Sequence, residues 1–205
     1  MMLALYKEEG RTPLEAKERL LENTNLNIDD LITVTEEVEG KLFKSKKYII
    51  TAIKKDNIKD KIRKYLEDLA SKMNLEVKME IKEEDNIFNV LLVCDNNAIL
   101  IGKEGRTINA IQLLLRQYIN SDGLFNIKVN LDVSNYKAKK VKNIEYEIKK
   151  IAKEVLKTKV EAKLDPMNSY ERRVVHTVIS NYEDLETESI GEEPNRYVVI
   201  RFKED

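Results

Sequence analysis

The spacing of apolar positions divides the chain into three stretches. In the first, an extended start leads into PLEAKERLLENTN, a predicted helix with Pro13 in its first turn and Thr12 as candidate cap. The period then drops to two in LITVTEEV and KYIITAI, predicting two strands joined by a turn at Gly40. The second stretch opens with IKDKIRKYLEDLASKM, where Ile58, Ile62, Leu66 and Leu69 share one helical face. LEVKMEI and NIFNVLLV read as strands, with EEDN as the hairpin turn between them. A short helix over residues 98–101, a pair of glycines, a helix over residues 106–120 and the alternating strand NIKVNLDV complete it. In the second of these helices Ile108, Ile111, Leu115 and Tyr118 are the expected core positions. The third stretch follows a Lys-rich helix, residues 137–157, in which Val141, Ile144, Ile148, Ile151 and Val155 repeat in 3-4-3-4 spacing. So narrow a seam either packs on a neighbouring domain or pairs two copies. Strand VEAKL, helix NSYERRVVHTVISNY and strands LETESI and RYVVIRF end the chain.

This order predicts an α+β protein of three small domains. Residues 1–53 form a helix with strands, residues 58–135 follow the order αββααβ, and residues 136–158 connect to an α/β domain over residues 159–205.

Charge narrows the function classes. The chain holds 36 Lys+Arg against 37 Asp+Glu, a net charge of −1, which excludes a uniformly basic binder and leaves room for local basic patches. VLLV and AILI are far too short to span a bilayer, so no transmembrane segment is expected. The opening MMLALYKEEG lacks the regions of a signal peptide, and the one cysteine, Cys94, fits a reducing compartment. A soluble, cytoplasmic chain is the expectation. One histidine and one cysteine do not make a zinc site of the usual kind. A Ser-His-Asp arrangement would need His176, and nothing near it resembles a nucleophile elbow. No catalytic residues, metal or cofactor are therefore expected.

Two of only six glycines stand in ILIGKEGRTINAIQ. Gly105 directly precedes a predicted helix, so the amides of Arg106, Thr107 and Ile108 are expected as unpaired helix-start donors, a natural anion site. Lys103 and Arg106 add cations, which makes phosphate the candidate anion. The stretch is not a nucleotide P-loop, because Asn97 stands where that motif needs glycine and Glu104 follows Lys103. Spacing alone leaves a tight helix–helix turn equally open. The order of elements around it resembles a KH domain of the type II topology, whose G-x-x-G loop clamps the backbone of about four single-stranded nucleotides. The resemblance covers residues 58–135 and implies RNA contacts at Gly102, Lys103, Glu104, Gly105, Arg106 and Thr107, with Ile99 and Ile101 lining the base groove or its floor. Glu104 offsets Lys103, which makes the loop less cationic than a strong clamp.

In NSYERRVVHTVISNY, Arg172 and His176 lie at i,i+4 on one helical face, with Val174, Val175, Val178 and Tyr182 on the other. Asn168 and Glu171 have capping-box spacing. Spacing alone reads Arg172 and His176 as salt-bridge or cap residues on a solvated face. DPMNSYERRVVH followed by GEEPNRYVVI, however, resembles the R-three-H domain, which binds single-stranded nucleic acids. The resemblance carries that domain's motif onto Arg172 and His176, with Arg173 and Arg196 as further cations.

A KH domain followed by an R-three-H domain resembles the Jag family of SpoIIIJ-associated proteins, also called KhpB or EloR. GRTPLEAKERLLENTNLNIDDL looks like the family's N-terminal helix and its flanks. The lysine-glycine-phenylalanine-leucine-glycine turn expected after it appears as EGKLFKSKKY, where Gly40 and Phe43 stand in for parts of it. The resemblance implies a bacterial, cytoplasmic, non-catalytic binder of single-stranded RNA, a post-transcriptional regulator or RNA chaperone linked to cell elongation and envelope control. A small single-KH partner protein and recruitment to the membrane or division site follow from it as further expectations, beside the homodimer that the 3-4-3-4 seam leaves open. The alternative is a protein-interaction adaptor at the membrane insertase or division machinery, favoured by the near-zero net charge and Glu104. Lys137, Lys139, Lys140 and Lys142 lie in sequence between the two candidate sites, as an electrostatic track or an ordinary solvated face.

Overall fold

The computed structural model describes residues 5–39 and 46–203. The expected turn at Gly40, with Phe43, lies outside the described residues. Among those described, six α-helices and nine strands make an α+β architecture with three small sheets. The chain divides into two compact units, residues 1–134 and 135–205.

The first unit begins with β1 (Leu5–Gly10), α1 (Pro13–Thr24), β2 (Leu31–Glu39) and β3 (Lys46–Lys54), which form an antiparallel sheet of order β1-β3-β2. The Thr12 hydroxyl accepts from the Glu15 amide at 3.1 Å, capping α1 as its position suggests. Ala16 and Leu20 of α1 pack on Leu31, Ile50 and Ala52 of the sheet.

The same unit continues through α2 (Lys55–Lys72), β4 (Val77–Glu84), β5 (Ile87–Cys94), α3 (Asn97–Ile101), α4 (Arg106–Ile119) and β6 (Lys128–Val133). The sheet order is β4-β5-β6, antiparallel then parallel. Asp85 and Asn86 both take positive φ, 52° and 60°, as a tight two-residue hairpin turn demands. In α2 the buried seam is Ile58, Ile62, Leu66 and Ala70, so Leu69 sits only at its margin. In α4 it is Ile108, Ile111, Leu115 and Ile119. Tyr118, expected in the core, is instead 36% exposed and stacks on Tyr65 with ring centroids 4.8 Å apart. The physical reason is the helical period: from Leu115 the fourth residue returns to the buried face, while the third swings to its edge.

Polar side chains fix α4 against the edge strand β6. Gln112 Oε1 accepts from the Leu131 amide at 2.9 Å, and Arg116 Nε donates to the Val129 carbonyl at 2.8 Å. Asn120, just past the helix, bonds both polar groups of Ile127. Four helical residues rise about 6 Å and two strand residues about 6.6 Å, so the two ladders stay in register. These bonds occupy backbone groups that an edge strand would otherwise leave unpaired, and they hold the helix that begins at the glycine loop.

The second unit contains α5 (Tyr136–Thr158), β7 (Ala162–Lys163), α6 (Ser169–Ile179), β8 (Leu185–Ile190) and β9 (Tyr197–Phe202), with antiparallel order β7-β9-β8. Ile148, Ala152 and Val155 of α5 share one core with Val175, Val178 and Ile179 of α6 and with Leu185, Val198 and Ile200 of the sheet. Ile144 and Ile151 border it. The sequence treats this helix as a connector, yet its apolar seam is part of the C-terminal unit's own core.

Candidate nucleic-acid interface

The glycine loop takes its shape from backbone conformations open mainly to glycine. Gly102 has φ 70° and ψ 179°, a region that residues with a side chain essentially never occupy. A Cβ there would lie 2.1 Å from Thr107 Oγ1, so Thr107 packs where a larger residue's side chain would be. Glu104 is left-handed at φ 55°, and Gly105 is buried at φ 82°. The Gly102 amide donates to the Ala98 carbonyl at 2.8 Å, closing α3, and the Gly105 amide donates to the Gly102 carbonyl at 3.3 Å. The Arg106 amide, expected to be free, donates to the Lys103 carbonyl. The one-turn helix over Lys103–Gly105 captures that donor, and no side chain caps α4.

Lys103 and Glu104 project to solvent at the tip of this turn. Arg106 meets Glu104 at 3.6 Å with both side chains well exposed, a pair of little energetic weight. Ile99 is 45% exposed beside the loop, while Ile101 is half-buried and Leu100 lies in the core. The loop therefore presents a close-approach backbone turn, two flanking cations and an exposed apolar residue on one short segment.

The Arg172 and His176 helix is built differently from the solvated face expected of it. Asn168 Oδ1 accepts from the Tyr170 and Glu171 amides at 3.0 Å each, and Glu171 Oε2 accepts from the Asn168 amide at 3.0 Å. This is the capping box that the spacing suggests. Glu171 is buried, and its other oxygen accepts an ion pair from Lys140 of α5. Burial works against the Lys140 ammonium, but the Glu171 carboxylate outweighs it and holds the pKa above the usual lysine range.

Arg172 is only 8% exposed, which corrects the expectation of an open face. Its Nε donates to the Met167 carbonyl at 3.3 Å, and its Nη2 pairs with Glu193 Oε1 at 2.8 Å. The loop after β8 folds over the guanidinium and supplies that carboxylate. His176 is also half-buried, its Nδ1 2.6 Å from Thr187 Oγ1 and its Nε2 2.9 Å from Ser189 Oγ. Burial first, and the neighbouring Arg172 charge second, push its pKa below the ordinary histidine value. A neutral ring with one donor and one acceptor nitrogen suits two hydroxyl partners.

Arg173 is exposed on the next position of α6, and Arg196 is half-buried with its Nε lacking a partner. The structure thus brings Arg172 and His176 together and leaves Arg173 open to solvent. Glu193 holds Arg172 through a largely exposed carboxylate, 61% accessible, which a phosphate oxygen could replace without new desolvation of the arginine. Sequence reasoning did not reach Glu193, Thr187, Ser189 or the Lys140–Glu171 pair. The only local signal was in LETESI, where Thr187 and Ser189 alternate onto one strand face.

Comparison with known proteins supplies the context. The family model described as KhpA/KhpB, KH domain matches residues 59–133, and the R-three-H domain model matches residues 142–202. The chain is 37% identical over 163 residues to a protein named RNA-binding protein KhpB from Clostridium symbiosum, across 78% of this chain and 73% of the relative. It is 30% identical over 200 residues to the protein of that name from Bacillus subtilis (strain 168), across 95% of this chain and 96% of the relative. For the protein of that name from Streptococcus pneumoniae (strain ATCC BAA-255 / R6), identity is 26% over 145 residues, 71% of this chain and 44% of the relative.

Proposed function

The chain belongs to the KhpB family, and from that premise we propose that it binds single-stranded RNA at two sites and catalyses no reaction. The observation that carries this reading is the glycine loop: Gly102 and Gly105 hold positive-φ conformations that fold a tight turn, with Lys103 and Arg106 exposed beside them. Gly102, Lys103, Glu104, Gly105, Arg106 and Thr107 form the first site, where backbone and charge grip phosphates and base identity matters little. Arg172, Arg173, His176 and Arg196 form the second. Here Arg173 offers an open cation, Arg172 exchanges Glu193 for a phosphate oxygen, and His176 positions β8.

The role that fits such a chain is post-transcriptional regulation or RNA chaperoning in bacterial cells, tied to elongation and envelope control. It works in the cytoplasm with a small single-KH partner or a second copy of itself, and residues 1–53 serve recruitment to the membrane or division site. Among the described residues, no helix is long and apolar enough to cross a membrane. An adaptor reading, in which the folds serve protein contacts alone, draws on the carboxylates already facing the cations: Glu104 on Arg106 and Glu193 on Arg172.

Fluorescence anisotropy of a labelled single-stranded oligonucleotide separates the two. Lys103→Asp with Glu104→Asp should weaken binding several-fold and leave the circular-dichroism melt nearly unchanged, because both side chains are exposed and aspartate tolerates the left-handed turn. Undiminished affinity across a salt titration would remove the phosphate clamp, and no binding by the intact protein would favour the adaptor.

A further inference from the structure

We infer that the outer face of α5 is a third RNA-contacting surface, a straight cationic track for a single strand with one stacking position at its centre; this rests on the RNA-binding reading above. Lys139, Lys142, Tyr146, Lys150, Lys153 and Lys157 recur at steps of three and four, all are exposed, and they lie opposite the Ile148, Ala152 and Val155 seam. From Lys139 to Lys157 the row runs 18 residue steps along the helix, about 27 Å at 1.5 Å per step.

Charge is what singles this face out. The helix carries eight lysines and three glutamates in a chain of net charge −1. Among the described residues, Lys139, Lys142, Lys153 and Lys157 make no ion pair, whereas Lys140, turned toward α6, is held by Glu171. One of the unpaired lysines also stands where a helix disfavours it. Lys139 closes the first turn, near the positive end of the helix dipole, with no acidic residue in that turn and no side-chain cap. A helix using lysine only for solubility gains from placing it in the last turns; a row that runs the full length is matched to an external polyanion.

Tyr146 makes the polyanion a single strand. It is 62% exposed at the middle of the row, and Lys150 Nζ sits 4.5 Å from its ring centroid. An exposed aromatic ring flanked by cations is a stacking platform for an unpaired base, with the lysines on successive phosphates. A duplex offers no free base face to that ring.

The test uses the full chain and a labelled single-stranded oligouridine. Replacing Lys150, Lys153 and Lys157 with glutamine should weaken binding and flatten the slope of log affinity against log salt by about 2, roughly 0.7 for each phosphate that is no longer neutralised. Tyr146→Ala should weaken it roughly tenfold, and ultraviolet crosslinking followed by peptide mass spectrometry should place uridine on Tyr146. All four positions are exposed, so the melting curves should not move; should the triple variant melt early, the Tyr146→Ala affinity and the crosslink decide. Unchanged slope and affinity together with no crosslink at Tyr146, while Lys103→Asp with Glu104→Asp still weakens binding, would overturn the track alone and leave the two-site reading standing. A track-dependent preference for blunt duplex RNA would overturn the single-strand assignment. No binding of any RNA by the intact protein would overturn both.

Discussion

Arg172→Ala should destabilise the C-terminal unit by about 1–2 kcal/mol. The arginine is 8% exposed and makes two charge-assisted bonds, to the Met167 carbonyl at 3.3 Å and to Glu193 at 2.8 Å. The first is long and contributes little; the second is short, but Glu193 is 61% exposed and rehydrates when its partner goes. The loss therefore falls below the cost of breaking a fully buried pair, and lost packing of the arginine stem keeps it above that of a surface pair. In a unit of this size, 1 kcal/mol moves Tm by about 4–8 °C, so differential scanning calorimetry of the full chain should show one transition falling by roughly 5–15 °C. Glu193→Gln, which keeps the arginine and a hydrogen-bond acceptor, should move it much less. A shift under about 1 °C for Arg172→Ala would show that the side chain is solvated and that the enclosure by the loop is wrong. The same enclosure sets a condition on binding experiments: affinity of this variant must be read well below its lowered transition.

Other substitutions probe the two units separately. Gly102→Ala puts a Cβ into Thr107 and into a backbone region closed to alanine, and should lower the stability of the first unit by about 1–3 kcal/mol, read from urea unfolding; an unchanged midpoint would refute the loop geometry. Burial raises the Glu83 carboxyl pKa, but the Lys55 ammonium and the Asn86 amide outweigh it and hold the value below the usual range. Its stabilising contribution is thus present above the unfolded carboxylate pKa, about 4.3, and is lost as pH falls through the lower folded value. The urea midpoint should drop less between pH 7 and pH 3 in Glu83→Gln than in the parent chain, and equal drops would contradict the pairing. His176 follows the same sign: its depressed pKa gives stability above about pH 6.5 that is lost as pH falls through the folded value. His176→Gln should flatten that dependence, and nuclear magnetic resonance titration of the ring should show a midpoint below that of a free histidine.

The parts of this fold legible in the sequence are those written in local spacing. Thr12 and Glu15, Asn168 and Glu171, and Asp85 beside Asn86 specify two helix starts and a hairpin within four residues each, and the structure contains all three. The buried seams were readable to within a residue; Tyr118 and Leu69 were displaced by Ile119 and Ala70 because apolar character at adjacent positions leaves the face undetermined by about 100°. What stayed hidden is non-local. Arg172 meets a carboxylate 21 positions away, His176 meets hydroxyls 11 and 13 positions away, and Lys140 of α5 reaches Glu171 of α6. No periodicity in α6 announces that its polar face will be covered by a loop. The capture of the Arg106 amide by Lys103 is local, yet it depends on a one-turn helix over Lys103–Gly105 that a G-x-x-G spacing does not specify.

The two-site reading is tested most directly by the length dependence of RNA binding. Two sites on one chain raise the effective concentration for the second contact when one strand reaches both. A single-stranded RNA long enough to engage the glycine loop and the Arg172 helix together should bind much more tightly than either half-length piece, with a steeper dependence on salt. Lys103→Asp with Glu104→Asp, or Arg173→Ala with Arg196→Ala, should each collapse the long strand's advantage toward the affinity of the short one. Equal binding of long and short strands by the intact protein, with neither variant changing the long strand's affinity, would contradict the account.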